Sequence, residues 1–221
     1  IHQREAEKII GKTGHMMLCA GNEDVYVMMD DIIREVAGMF KSPLMHLGGD
    51  EADIPKNWEK CDLCRLLMKE RNYTNPAQLM IPFFENILAS ARKYGKKPIL
   101  WFELNNEYPP ADDYLFPYPK DVVLVSWRGG MTPTGLDISA EKGNDVIMAP
   151  GEHCYYDYPQ YKGDLPEYNN WGMPMTTLER AYRLDPGYGR PLNKQKHIWG
   201  VMGALWGEAI IDINRATYMS F

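Results

Sequence analysis

Residues 44–51 read Leu-Met-His-Leu-Gly-Gly-Asp-Glu, a short apolar run that breaks at Gly48 and Gly49 and ends in two adjacent carboxylates, Asp50 and Glu51. Side chains alternate along an extended segment. Neighbouring acids at its end can therefore take opposite sides of one bound group and divide two jobs between them. The glycines suit such a place, because a chain without Cβ turns sharply and lets a ligand approach the backbone. A solvated turn has the same composition, since turns are rich in glycine and aspartate. The surrounding chain must separate the two readings.

Further polar and aromatic clusters end other strand-like runs: Trp101 and Glu103; Trp127 and Arg128; Tyr155, Tyr156 and Asp157; Trp206 and Glu208. The runs themselves are Leu44 to Leu47, Pro98 to Phe102, Val122 to Trp127, Asp145 to Ala149 and a strand within Ile198 to Trp206. Helical spacing of apolar residues marks Glu23 to Met39, a short helix around Lys56 to Arg71, and Pro76 to Tyr94. Ser139 to Lys142 and Thr176 to Arg183 read as shorter helices. This alternation predicts an α/β fold with a parallel sheet. Clusters at the carboxyl end of every strand fit a (β/α)8 barrel, whose loops there build one site. An open doubly wound sheet would gather them at one switch point instead. No Gly-rich phosphate fingerprint follows a strand, which argues against a nucleotide site. With neither an internal repeat nor a low-complexity linker, residues 1–221 read as one domain.

The 221 residues are 45% hydrophobic and 24% charged, in the globular range. A net charge of −6 without a basic run argues against nucleic acid or an anionic membrane surface as partner. No apolar stretch approaches a membrane span. The chain opens on Ile1-His2-Gln3-Arg4-Glu5, with neither an initiator Met nor a signal-peptide pattern, so its natural start is expected upstream. The 6 Trp and 14 Tyr suit platforms for flat amphipathic ligands such as sugars. Taken singly, a strand Trp or Tyr also serves core packing, and Met28, Met29, Met80 and Met148 read as core filler. Arg128 reads as an ion-pair partner of a nearby carboxylate. Cys61 and Cys64 have the spacing of half a zinc site or a redox pair. Zinc would need a second close pair, and Cys19 and Cys154 are distant singletons, so ordinary thiols or a local disulfide are expected and no metal site is.

The string His46-Leu47-Gly48-Gly49-Asp50-Glu51, followed in order by Trp101, Trp127, Tyr155-Tyr156-Asp157, Trp171 and Leu205-Trp206-Gly207-Glu208, resembles the catalytic barrel of glycoside hydrolase family 20 β-N-acetylhexosaminidases. The resemblance implies substrate-assisted retention: the sugar's own 2-acetamido oxygen attacks the anomeric carbon, and no enzyme nucleophile is needed. It assigns Asp50 to hold the acetamido N–H and Glu51 to protonate the leaving oxygen, then to activate water. Burial and the neighbouring Asp50 are expected to raise the Glu51 pKa. Tyr155 is expected to donate to the acetamido oxygen. Trp101, Trp127, Trp171 and Trp206 are expected to wall the pocket, and Asp157 and Glu208 to accept from sugar hydroxyls. His46 is expected to support the acids from behind, not to act as a base. No cofactor or metal is implied. The partners implied are glycans ending in β-linked N-acetylglucosamine or N-acetylgalactosamine, cleaved from the non-reducing end.

The family barrel has eight strands, and five are counted here. The chain is therefore expected to hold roughly strands 4 to 8 of a partial TIM barrel, truncated at both ends. Unpaired barrel edges would invite self-association or pairing with a missing N-terminal half. A carbohydrate-binding fragment or inactive homologue, with aromatic walls and no turnover, is the alternative. The cellular address is not given by the sequence, although a secreted, periplasmic or lysosomal-type compartment would suit the activity.

Overall fold

The computed structural model describes residues 17–52, 54–103, 117–164, 174–207, 210 and 212–220. They fall into two compact units, Ile1–Pro119 and Lys120–Phe221.

The first unit opens with α1 (Glu23–Met39). Asn22 caps it by accepting the Asp24 N–H, and Glu23 and Asp24 place negative charge at the positive end of the helix dipole. Val25, Met29, Ile33 and Val36 follow at helical spacing. Ile33 is buried with Met45 of β1 (Leu44–His46) and with Ile87 and Ala91 of α4 (Met80–Lys93), with Met29 and Val36 packed against them. One carboxylate locks the two helices together: Asp30 accepts from Ser90 Oγ, Lys93 Nζ and Tyr94 OH at 2.5, 2.8 and 2.7 Å. These donors hold the Asp30 carboxyl far below the usual range, Lys93 contributing most.

The helix expected around Lys56 to Arg71 is broken. It comprises α2 (Ile54–Asn57), a 3₁₀ turn (Trp58–Lys60) and α3 (Asp62–Glu70). Cys61 is extended, with φ −84° and ψ 125°, and supplies the break. The predicted Pro76 start is a 3₁₀ turn, Pro76–Leu79, held by a capping box between Asn75 and Gln78, before α4 begins. Strand β2 (Lys97–Trp101) pairs with β1 in parallel, Met45 opposite Pro98 and His46 opposite Ile99.

The second unit carries β3 (Val123–Ser126), β4 (Val146–Met148) and β5 (Ile198–Val201), parallel neighbours in chain order. All four residues of β3 are buried, as a strand covered on both faces requires. Helix α5 (Thr132–Lys142) starts seven residues before the predicted Ser139 and ends at Gly143, whose φ of 82° only glycine adopts without strain. Leu136 of α5 is buried against Val146 and Met148. Asp137 on the same helix takes Arg190 and Lys194, the latter in α8 (Leu192–Gln195), as ion-pair partners. The short helices α6 (Gly151–Cys154), α7 (Leu178–Tyr182) and α9 (Ile213–Ser220) complete the unit. Among the described residues no helix is long and apolar enough to cross a membrane.

Candidate active site

In the first unit the chain leaves β1 through a turn built from left-handed backbone. Gly48, Gly49 and Glu51 have φ of 79°, 101° and 48°. Glycine is required at 49 twice over. Its φ excludes ordinary side chains, and a Cβ there would lie 2.8 Å from Cζ of Phe84. Glu51 carries a side chain in a region that L-residues visit rarely, a cost of about 1–3 kcal/mol that its surroundings must offset. The turn is pinned to β2 on both sides: Leu47 N–H donates to Ile99 O at 2.9 Å, and Trp101 N–H to Gly48 O at 3.0 Å.

The third pin is a side chain. Buried Glu103 accepts the Glu51 N–H on Oε2 at 2.6 Å, a charge-assisted bond to the residue with the unusual backbone. The Glu103 backbone in turn hydrogen-bonds buried Tyr118, whose phenol burial pushes up in pKa. Sequence reasoning grouped Glu103 with Trp101 but gave it no role in the site. Its signal was an acid directly after a buried strand, where charge needs a partner.

Both acids are exposed. The acid role of Glu51 called for a buried carboxyl, and the sharp turn instead projects it beyond the strand end. His46, the last residue of β1, stands behind them: its ring lies 4.7 Å from that of Trp101, and Nδ1 accepts the Gly48 N–H at 3.1 Å. Desolvation lowers the His46 pKa, although part of the residue is open to solvent, and the Asp50 carboxylate opposes the shift. The imidazole is thus a neutral acceptor that orders the turn. Trp101 is buried beneath it, 8% exposed. A cavity of about 260 Å³ on this unit is lined by Gly49, Asp50, Glu51, Leu18, Trp58 and Phe83 among others.

In the second unit Tyr155 follows α6 and is the hub of an aromatic cluster. Its ring lies parallel to Trp127 at 6.3 Å and edge-on to Tyr158 and Trp206 at 5.3 and 5.9 Å. The backbone is sewn to the chain after β5: Tyr156 N–H donates to Ala204 O at 2.7 Å and Ala204 N–H to Cys154 O at 2.8 Å. Gly203 permits this approach, since a Cβ there would lie 2.5 Å from the Tyr156 ring. Buried Asp157 accepts the Trp206 N–H at 3.2 Å, holding a residue that is itself 38% exposed. Arg128 lies over the Trp127 ring, 4.4 Å from its centre. Trp171 and Glu208 lie outside the described residues.

The cysteines depart from expectation. Cys19 is no distant singleton: it adjoins Cys61 and Cys64, and this is the group among the described residues that could hold a metal ion. All four cysteines are free.

Comparison with known proteins places these features. The family model of the glycosyl hydrolase family 20 catalytic domain matches residues 2–221. A β-hexosaminidase of Akkermansia muciniphila is 32% identical over 93% of this chain and 39% of its own length. One from Porphyromonas gingivalis is 29% identical over 97% and 26%. A β-N-acetylhexosaminidase crystal structure superposes with a TM-score of 0.80 at 31% identity, covering 96% of this chain and 42% of that one. The exo-β-N-acetylglucosaminidase of Vibrio harveyi in complex with N-acetylglucosamine gives 0.76 at 28%, covering 93% and 30%. The chain thus spans well under half the length of these relatives. The fold is α/β, part of the barrel domain its structural neighbours share. With the match running from its second residue to its last, this chain belongs to glycosyl hydrolase family 20.

Proposed function

We propose that the chain carries the acids of an exo-acting β-N-acetylhexosaminidase, which hydrolyses terminal β-linked N-acetylglucosamine or N-acetylgalactosamine by substrate-assisted retention. The observation that carries this reading is the turn after β1. It presents Asp50 and Glu51 consecutively at a strand's carboxyl end, each backbone neighbour fixed by His46, Glu103 or β2.

The chemistry follows from charge. As the acetamido oxygen bonds to the anomeric carbon, positive charge grows on the amide nitrogen, and Asp50 accepts its N–H and balances that charge. Glu51 protonates the departing glycosidic oxygen. In the second half-reaction it takes a proton from water, which opens the oxazoline-type ring and restores the β configuration. Tyr155 donates its hydroxyl to the acetamido oxygen and aims it. Trp101, Trp127, Trp171 and Trp206 supply apolar walls, and Asp157 and Glu208 accept from sugar hydroxyls.

Turnover of a chromogenic N-acetylglucosaminide tests the reading. Asp50→Asn is expected to lower kcat by about 10²–10³ with little change in KM, as for an interaction that strengthens in the transition state. A thiazoline mimic of the cyclised intermediate is expected to inhibit tightly. Wild-type turnover in Asp50→Asn, or indifference to the thiazoline, contradicts it. The exposure of both acids favours one second reading, sugar binding without turnover. Calorimetric binding of N-acetylglucosamine with no release of chromophore would identify it.

A further inference from the structure

We propose that Cys19, Cys61 and Cys64 form a binding site for a thiophilic divalent cation, zinc foremost, stapling the chain ahead of α1 to the helical stretch that follows the two acids. The Cys19 sulfur lies 3.3 Å from that of Cys61 and 3.7 Å from that of Cys64, and all three fall within 4.8 Å of one another. Tetrahedral zinc with Zn–S of about 2.3 Å sets its sulfur ligands about 3.8 Å apart. The three sulfurs are therefore nearly at the edges of such a site. A disulfide would need about 2.0 Å and would join only two of them.

The surrounding chain is built for this convergence. Cys61 caps α3 and Cys64 is the third residue of the helix, so a Cys-x-x-Cys pair offers two ligands from one helical start. The third ligand arrives 42 residues upstream of Cys61. Gly21 makes that approach feasible: a Cβ there would stand 2.3 Å from the Leu63 carbonyl oxygen, so no other residue lets the two segments meet. Tyr26 OH holds Ala20 O at 2.6 Å and Trp58 Nε1 holds Leu18 O at 2.9 Å, fixing Cys19 between them. Cys64 is fully buried and Cys19 is 7% exposed. The start of α3 adds its dipole in favour of thiolate. Three sulfurs leave one coordination position for water or a further donor.

The site has a structural consequence for the acids. Leu18 and Trp58, one beside Cys19 and the other before Cys61, line the same cavity as Asp50 and Glu51. A cation on the three sulfurs would brace that wall, independently of whether the protein turns over a sugar.

The test is metal content. Protein purified without chelator is analysed by elemental mass spectrometry, and a mercurial titrates the thiols while an indicator counts released zinc. Zinc is expected at about one per chain, falling to near zero in Cys61→Ala and Cys64→Ala and unchanged in Cys154→Ala. An unfolded variant would also lose zinc, so the wild type is stripped and titrated with Co²⁺. The expected result is visible d–d absorption of tetrahedral strength with thiolate charge transfer in the near ultraviolet, bleached by stoichiometric Zn²⁺. No such spectrum in folded protein with three reactive thiols, or a Cys19–Cys61 disulfide found by peptide mapping, overturns the proposal.

Discussion

Glu103 holds the backbone N–H of Glu51 while that residue sits at a φ of 48°, so the residue proposed to transfer the proton is held in place by a second acid. Removing the acceptor leaves a strained turn without its tie. Glu103→Ala is expected to lose about 1.5–3 kcal/mol of stability in urea unfolding, the scale of a hydrogen bond to a charged group. Glu103→Gln, which keeps an acceptor oxygen, is expected to recover most of it. Equal losses in both variants would contradict the positioning role. His46 gives a pH signature. Its folded pKa lies below the ordinary 6.5, so the unfolded chain binds more protons as pH falls through that value. Its share of stability is therefore full above about 6.5 and is lost on acidification, until the folded ring also protonates. Unfolding midpoints between pH 5 and 8 are expected to fall less steeply in His46→Gln than in wild type. The same slope in both proteins would show that this ring does not set it.

At the scale of elements, period and composition marked the strands and long helices because those segments bury one face in register with their neighbours. Glu23 to Met39 matches α1 end to end, since Asn22 and Phe40 both leave helical backbone there. The errors fall where local chemistry overrides period. The Lys56–Arg71 helix breaks at extended Cys61, and α5 begins early because Pro133 suits a helix start. Helices α6 and α8 had no expectation because four residues carry too little period to read. Helix α9 bears weight. Arg215 pairs with Asp164 at 3.0 Å, and the Asp164 side chain is 1% exposed. Asp164 also accepts the Gln160 N–H, close behind Asp157. Arg215→Ala is expected to cost about 3–5 kcal/mol, because it strands a buried carboxylate. Replacing both partners with apolar residues should cost much less. A loss under 1 kcal/mol in urea unfolding of Arg215→Ala would contradict this.

For the whole molecule, sequence carried the fold class and family further than it carried the arrangement of side chains. The acid pair and the aromatic run were legible because their types and order are unusual for a core. Three things were not: the exposure of both acids, the grip of Glu103 on Glu51, and the meeting of Cys19 with Cys61 and Cys64. The last two depend on contacts between residues some 40 or 50 positions apart, which no local pattern encodes, and the first on the backbone of one turn. The central claim is that Glu51 passes the proton to a leaving group expelled by the sugar's own amide. A leaving-group series of aryl N-acetylglucosaminides, measured as kcat/KM for wild type and Glu51→Gln, tests it most directly. The account predicts that Glu51→Gln loses little on the most acidic phenols, which need no proton, and progressively more as the phenol pKa rises. A uniform loss across the series would contradict it.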